Sequence, residues 1–242
     1  MNAENIAVEV RNLQKSYGTF QALKDVSFSV RTGEVYGLIG PNGAGKTTTL
    51  RVLATLLRIS SGTVRVFDTD VGQKPEEVRK VISYLPEDAG AYKNLTGRHY
   101  LEFIARFFAH GEAEHAMVSR GMEIVSLDER IDDKVETYSK GMMRRLLVGR
   151  ALMTNPRLAI LDELTSGLDV INAQEIRKIV KDESRAGTTF VVSSHNMLEV
   201  ELLCDRISLI HDGVVVETGT PAELKAKHHA ANIEEVFMAV AA

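Results

Sequence analysis

Gly40-Pro41-Asn42-Gly43-Ala44-Gly45-Lys46-Thr47 is the stretch that decides how this chain reads. Its glycines let backbone N–H groups turn inward around a phosphate with no side chain in the way. A helix opening at its end would point its positive terminus at the same anion. Lys46 supplies a mobile positive charge for the outer phosphates, and the Thr47 hydroxyl is a ligand for Mg²⁺. The context fits. Val35-Tyr36-Gly37-Leu38-Ile39 is a compact apolar run suited to a buried strand, and Leu50, Leu53 and Leu57 recur afterwards at helical spacing until Ser60-Ser61-Gly62 stops them.

Outward from the loop the pattern changes along the chain. Before it, Val8 and Val10, then Val26, Phe28 and Val30, alternate with polar residues as half-buried strands do. Val64-Arg65-Val66-Phe67 reads as a further strand. From about Thr96 to Leu127 the pattern is helical, with Leu101, Ile104 and Phe108 on one face and a break at Gly111. Leu158 to Leu161 and Phe190 to Ser193 are short buried strands. Asp212-Gly213 between apolar runs signals a hairpin. Thr220-Pro221-Ala222-Glu223 is a capped helix start, and Asn232 with Glu235 repeats the signal ahead of Ile233, Val236, Phe237 and Val240. The expected organisation is a strand-and-helix core over residues 1–87 and 156–242, interrupted by a helical lobe over 88–155.

Composition narrows the classes. At 242 residues and 44% hydrophobic content the chain can bury one good core. A formal net charge of -4 argues against a dedicated nucleic-acid binder. Cys204 is the only cysteine, so it forms no internal disulfide and reads as a buried thiol. No run of 18 apolar residues is present, and Met1-Asn2-Ala3-Glu4-Asn5 lacks the marks of a secretory leader. The expectation is a cytoplasmic protein that meets a membrane only through a partner.

The second half of the chain supplies acids for the phosphate loop. Leu158-Ala159-Ile160-Leu161-Asp162-Glu163 is an apolar strand ending in two carboxylates. Asp162 suits Mg²⁺, directly or through water. Glu163 is the candidate general base for an attacking water.

With Tyr138-Ser139-Lys140-Gly141-Met142 opening a helix upstream of Asp162, Ser166-Gly167-Leu168-Asp169 following Glu163, and Ser193-Ser194-His195 ending the next strand, the chain resembles the ATP-binding cassette family throughout its length. The resemblance implies an α/β fold: a P-loop NTPase core with an N-terminal antiparallel β part and an inserted helical lobe. It implies ATP and Mg²⁺ as ligands. It implies nucleotide contacts from Gly40, Pro41, Asn42, Gly43, Ala44, Gly45, Lys46, Thr47 and Thr48, with Tyr17 stacking on adenine. Ser139 and Gly141 would meet the γ-phosphate held by an opposite subunit, Asp169 would join the two subunits, and His195 would sense the γ-phosphate. Thr47, Glu87 and Asp162 are the implied metal residues. The implied partners are a second cassette, identical or similar, and integral-membrane permease subunits. The short single cassette, the Tyr138-Ser139-Lys140-Gly141-Met142 variant and the Asn232–Phe237 tail resemble exporter subunits of the sodium- and drug-efflux branch.

Four positions depart from the family pattern. Lys140 replaces a glycine and Met142 a glutamine in the signature loop, Glu87 stands where a glutamine is usual, and Leu164 follows Glu163 where proline is usual. Some residues have ordinary readings: Arg144-Arg145 as a solvated helix turn, Met142-Met143 as packing, and His228-His229 as surface. A soluble ATPase of the same family remains the alternative. Translation factors of this type usually carry two cassettes, and DNA-repair members split theirs with a coiled coil. A regulator that never hydrolyses ATP is at odds with an intact Glu163.

Overall fold

The computed structural model describes residues 5–241. Of the N-terminal stretch Met1-Asn2-Ala3-Glu4-Asn5, only Asn5 lies within the described residues. In chain order the strands are β1 (Ile6–Tyr17), β2 (Phe20–Arg31), β3 (Val35–Ile39), β4 (Ser61–Val66), β5 (Thr69–Asp70), β6 (Ile82–Leu85), β7 (Leu158–Leu161), β8 (Thr189–Ser194), β9 (Arg206–His211) and β10 (Val214–Gly219). The helices are α1 (Lys46–Leu53), α2 (Pro75–Arg79), α3 (Gly97–Ala105), α4 (Glu112–Val125), α5 (Lys140–Leu152), α6 (Val170–Arg185), α7 (Met197–Leu203), α8 (Pro221–His228) and α9 (Ile233–Val240).

The strands form one sheet in the order β5-β4-β1-β2-β10-β9-β3-β8-β7-β6. One end is antiparallel, with Val8 opposite Val30 and Val10 opposite Phe28. Their period-two alternation puts these four side chains in one apolar cluster. The other end, β9-β3-β8-β7-β6, is parallel. Parallel strands are covered on both faces, so they read as unbroken apolar runs. Along β3, Val35 and Ile39 face one core cluster while Tyr36 and Leu38 face the other. β7 divides in the same way, with Ala159 and Leu161 on one side and Leu158 and Ile160 on the other.

α3, α4 and α5 lie in sequence between β6 and β7, which are neighbours in the sheet. This is the helical insertion that the sequence suggests. Gly111, with φ 63°, precedes α4 where the break is expected. Asp212 and Gly213, both at positive φ, turn β9 into β10. Thr220 and Glu223 form a reciprocal capping box at α8.

Two helix readings were too long. α1 stops at Leu53, leaving Leu57 outside it, and α3 stops at Ala105, leaving Phe108 65% exposed. His228 also departs from its surface reading: its Nε2 lies 3.1 Å from Glu217 Oε2. Cys204 is buried, which raises the pKa of its thiol. No helix among the described residues is long and apolar enough to cross a membrane.

Candidate functional site

The phosphate loop joins β3 to α1, as its sequence requires. Gly45 has φ 107°, a conformation glycine adopts at little cost. A Cβ at Gly40 would collide with the carbonyl oxygen of Ile210, so the loop fits closely over β9. Lys46 folds back into the loop, its Nζ 2.8 Å from Gly40 O and 3.2 Å from Pro41 O. Pro41, Asn42 and Gly43 are exposed, Ala44 and Lys46 buried, and Gly45, Thr47 and Thr48 intermediate.

The carboxylates come from the next strand but one. β7 pairs with β6 and β8, and both acids follow directly after its last residue. Asp162 is only 1% exposed. Its Oδ1 accepts a hydrogen bond from Ser193 Oγ on β8. The same hydroxyl accepts from Glu163 N at 3.0 Å, so one side chain aligns both acids. Glu163 has φ 48°, in the left-handed region that costs a non-glycine residue energy. That turn sends its carboxylate back toward the loop. Glu163 Oε1 lies 3.4 Å from Lys46 Nζ, and both side chains are 6% exposed. Glu163 Oε2 lies 2.7 Å from His195 Nδ1 at the end of β8. The His195 side chain is 49% exposed, so it sits between the buried acid and solvent.

Lys46, Asp162, Glu163 and His195 therefore meet. Gly40 and Pro41 join them through Lys46, whereas Tyr17, Ser139, Gly141, Asp169 and Glu87 make no described contact with these four. Tyr17 is exposed, with Lys15 Nζ 5.0 Å from its ring centroid. Ser139 caps α5, its Oγ accepting from Met142 N at 3.2 Å. The Asn172 side chain occupies the space a Cβ on Gly141 would need, and Lys140 Nζ does the same at Gly167. The signature turn thus packs on the start of α6. Asp169 caps that helix, accepting from Asn172 N at 2.9 Å. This bond holds its carboxyl below the usual range.

Glu87 is exposed beyond β6, and its carbonyl accepts from Arg144 Nη2 at 3.3 Å. Arg144 corrects the solvated-turn reading, because it is 7% exposed. In sequence Ser193 marks only a strand end and the start of Ser193-Ser194-His195; the β7–β8 pairing links it to both acids. Leu164 is buried at 3% exposure and packs in the core rather than freeing the chain after Glu163.

Comparisons with known proteins point to one family. Residues 23–166 match the family described as ABC transporter. The linearmycin resistance ATP-binding protein LnrL of Bacillus subtilis is 38% identical over 90% of this chain and 70% of its own length. The daunorubicin/doxorubicin resistance ATP-binding protein DrrA of Streptomyces peucetius is 39% identical over 91% of this chain and 67% of its own. Among solved structures, an ATP-binding subunit of an ABC transporter superposes with TM-score 0.84 at 27% identity, covering 97% of this chain and 99% of that one. The cassette MJ0796, a dimer bound to ADP and Pi, gives TM-score 0.77 at 25% identity, over 88% of this chain and 98% of that one.

The chain belongs to the ABC transporter family. Within it, the chain is an ATP-binding, ATP-hydrolysing transporter subunit.

Proposed function

We propose that the chain powers an exporter, and that two copies close around two ATP molecules to do so. The observation that carries this is a separation. Lys46, Asp162, Glu163 and His195 converge, whereas Ser139 and Gly141 pack against α6 and make no described contact with the phosphate loop. A single chain then holds half of each site, and the signature turn is offered to a second copy. Val170 and Ile171, 79% and 75% exposed beside Asp169, supply apolar surface for that contact.

Each residue has a role in this reading. Residues 40–48 hold the phosphates through their backbone N–H groups, which Pro41 lacks, and through the Lys46 side chain, and Tyr17 stacks on the base. Glu163 takes the proton of the attacking water while His195 holds the carboxylate's orientation. The donor set suits Mg²⁺: Thr47 and Asp162 offer hard oxygens, and one Asp162 oxygen is already fixed by Ser193. No group of three or more His, Cys, Asp or Glu among the described residues could hold a metal, so phosphate oxygens would complete the shell, with Glu87 nearby. When bound, Mg²⁺ would neutralise phosphate charge.

The drug-resistance relatives support export of amphipathic compounds through permease subunits, with this chain on the cytoplasmic face of the membrane. The test is co-expression with the neighbouring membrane protein, followed by inside-out vesicle assays. ATP should drive accumulation of a fluorescent anthracycline in the vesicles. Recovery of the chain free of any membrane protein, with full ATPase activity, would favour the soluble-ATPase reading.

A further inference from the structure

Arg144 is the buried charge that the reading above leaves without a task. It lies on α5, one helical turn beyond the signature serine, yet it is 7% exposed. An arginine at such depth keeps its charge and must have that charge answered. One guanidinium nitrogen, Nη2, donates to the carbonyl of Glu87 at 3.3 Å. The other, Nη1, is buried and has no hydrogen-bond partner among the described residues. Burial lowers the affinity of Arg144 for its proton, and the carboxylates of Glu87, Asp162 and Glu163 oppose that.

α5 belongs to the helical insertion, while Asp162 and Glu163 belong to the sheet. Arg144 crosses that division. Glu87 follows β6, the strand through which the chain leaves the sheet. A carboxylate there adds negative charge near a site that must accept a triphosphate. A buried cation facing the same carboxylates offsets it.

We infer that Arg144 is a positioning residue of the ATP site: it ties α5 to the Glu87 turn and supplies the positive charge that lets a carboxylate stand at position 87. The inference rests on the nucleotide-site reading. It also accounts for the pairing of an unusual acid with a buried arginine in one chain.

Calorimetric titration with ATP tests it, once in chelator and once with Mg²⁺. Arg144→Met should weaken metal-free ATP binding on the order of tenfold, the size of losing one charge within about 10 Å of a partly buried site. With Mg²⁺ present the loss should be about twofold or less, because the metal supplies the missing charge. In a Glu87→Gln background the metal-free loss should shrink to roughly threefold or less, a non-additivity expected of partners. Arg144→Lys keeps the charge and should stay near the parent without metal, and it carries the test if Arg144→Met fails to fold. Equal weakening with and without Mg²⁺, additive effects with Glu87→Gln, or a lysine variant as impaired as methionine would overturn the inference. No ATP binding by the unmodified chain would overturn the nucleotide-site reading, and this inference with it.

Discussion

Glu163 and Lys46, distant in sequence, form a buried ion pair with Nζ 3.4 Å from Oε1. The lysine also bonds to two loop carbonyls, and the glutamate also reaches His195 at 2.7 Å. The phosphate-binding cation and the candidate base are therefore mutual partners before any phosphate arrives. A nucleotide that draws Lys46 toward its phosphates loosens its hold on Glu163.

Replacing Lys46 by alanine is expected to abolish measurable ATP hydrolysis and sharply weaken ATP binding. It also leaves Glu163 buried with one partner fewer, so the chain should unfold at a lower urea concentration. Adding Glu163→Gln should recover part of that loss, because the uncompensated charge is gone. Calorimetry and urea unfolding of the two variants measure both effects. Unchanged ATP affinity in Lys46→Ala would remove the phosphate loop from the site.

Glu163→Gln should lower turnover by about 10²–10⁴, the typical cost of losing a general base. ATP binding should persist, and with hydrolysis blocked the variant should elute as a dimer with ATP and as a monomer without it. Size-exclusion chromatography with light scattering reads this directly. A rate near the parent's would move the base to another residue.

Tyr36 gives an alkaline signature. Burial is the main cause that pushes its hydroxyl up to about 12. The unfolded chain releases this proton first, near pH 10. Stability held below pH 10 is therefore lost as pH rises toward 12, by about 2–3 kcal/mol for a shift of this size. Tyr36→Phe should flatten the stability profile in that window. Its cost at neutral pH should be only about 1 kcal/mol, because Ser208 keeps Thr218 as a partner at 2.6 Å. Urea unfolding at intervals from pH 8 to 11.5 checks the slope.

Thr220→Ala removes half of the capping box on α8. The expected loss is about 1 kcal/mol of stability with no change in ATP affinity. Thermal unfolding and nucleotide titration on the same sample separate the two. A matching drop in affinity would tie α8 to the nucleotide site.

The sequence carried the phosphate loop and the paired acids because each is local: a glycine-rich turn after an apolar strand, and an apolar strand ending in Asp162-Glu163. The capping box on α8 and the Asp212-Gly213 turn were legible for the same reason. Leu57 and Phe108 continue an apolar period past the real helix ends at Leu53 and Ala105; beyond α1 the chain turns at Thr55, whose φ is 62°. Arg144 looked solvated because a charge on a helix gives no hint that another segment covers it. The strand order and the β7–β8 contact that gives Ser193 its task are likewise long-range.

The helical insertion leaves the sheet after β6 and returns at β7, two strands that lie side by side. Its two attachment points are thus adjacent, and no strand of the sheet has to part to make room for it. A segment hung in this way is modular. A change of length there leaves fixed the β7–β8 register that aligns Asp162 with Ser193.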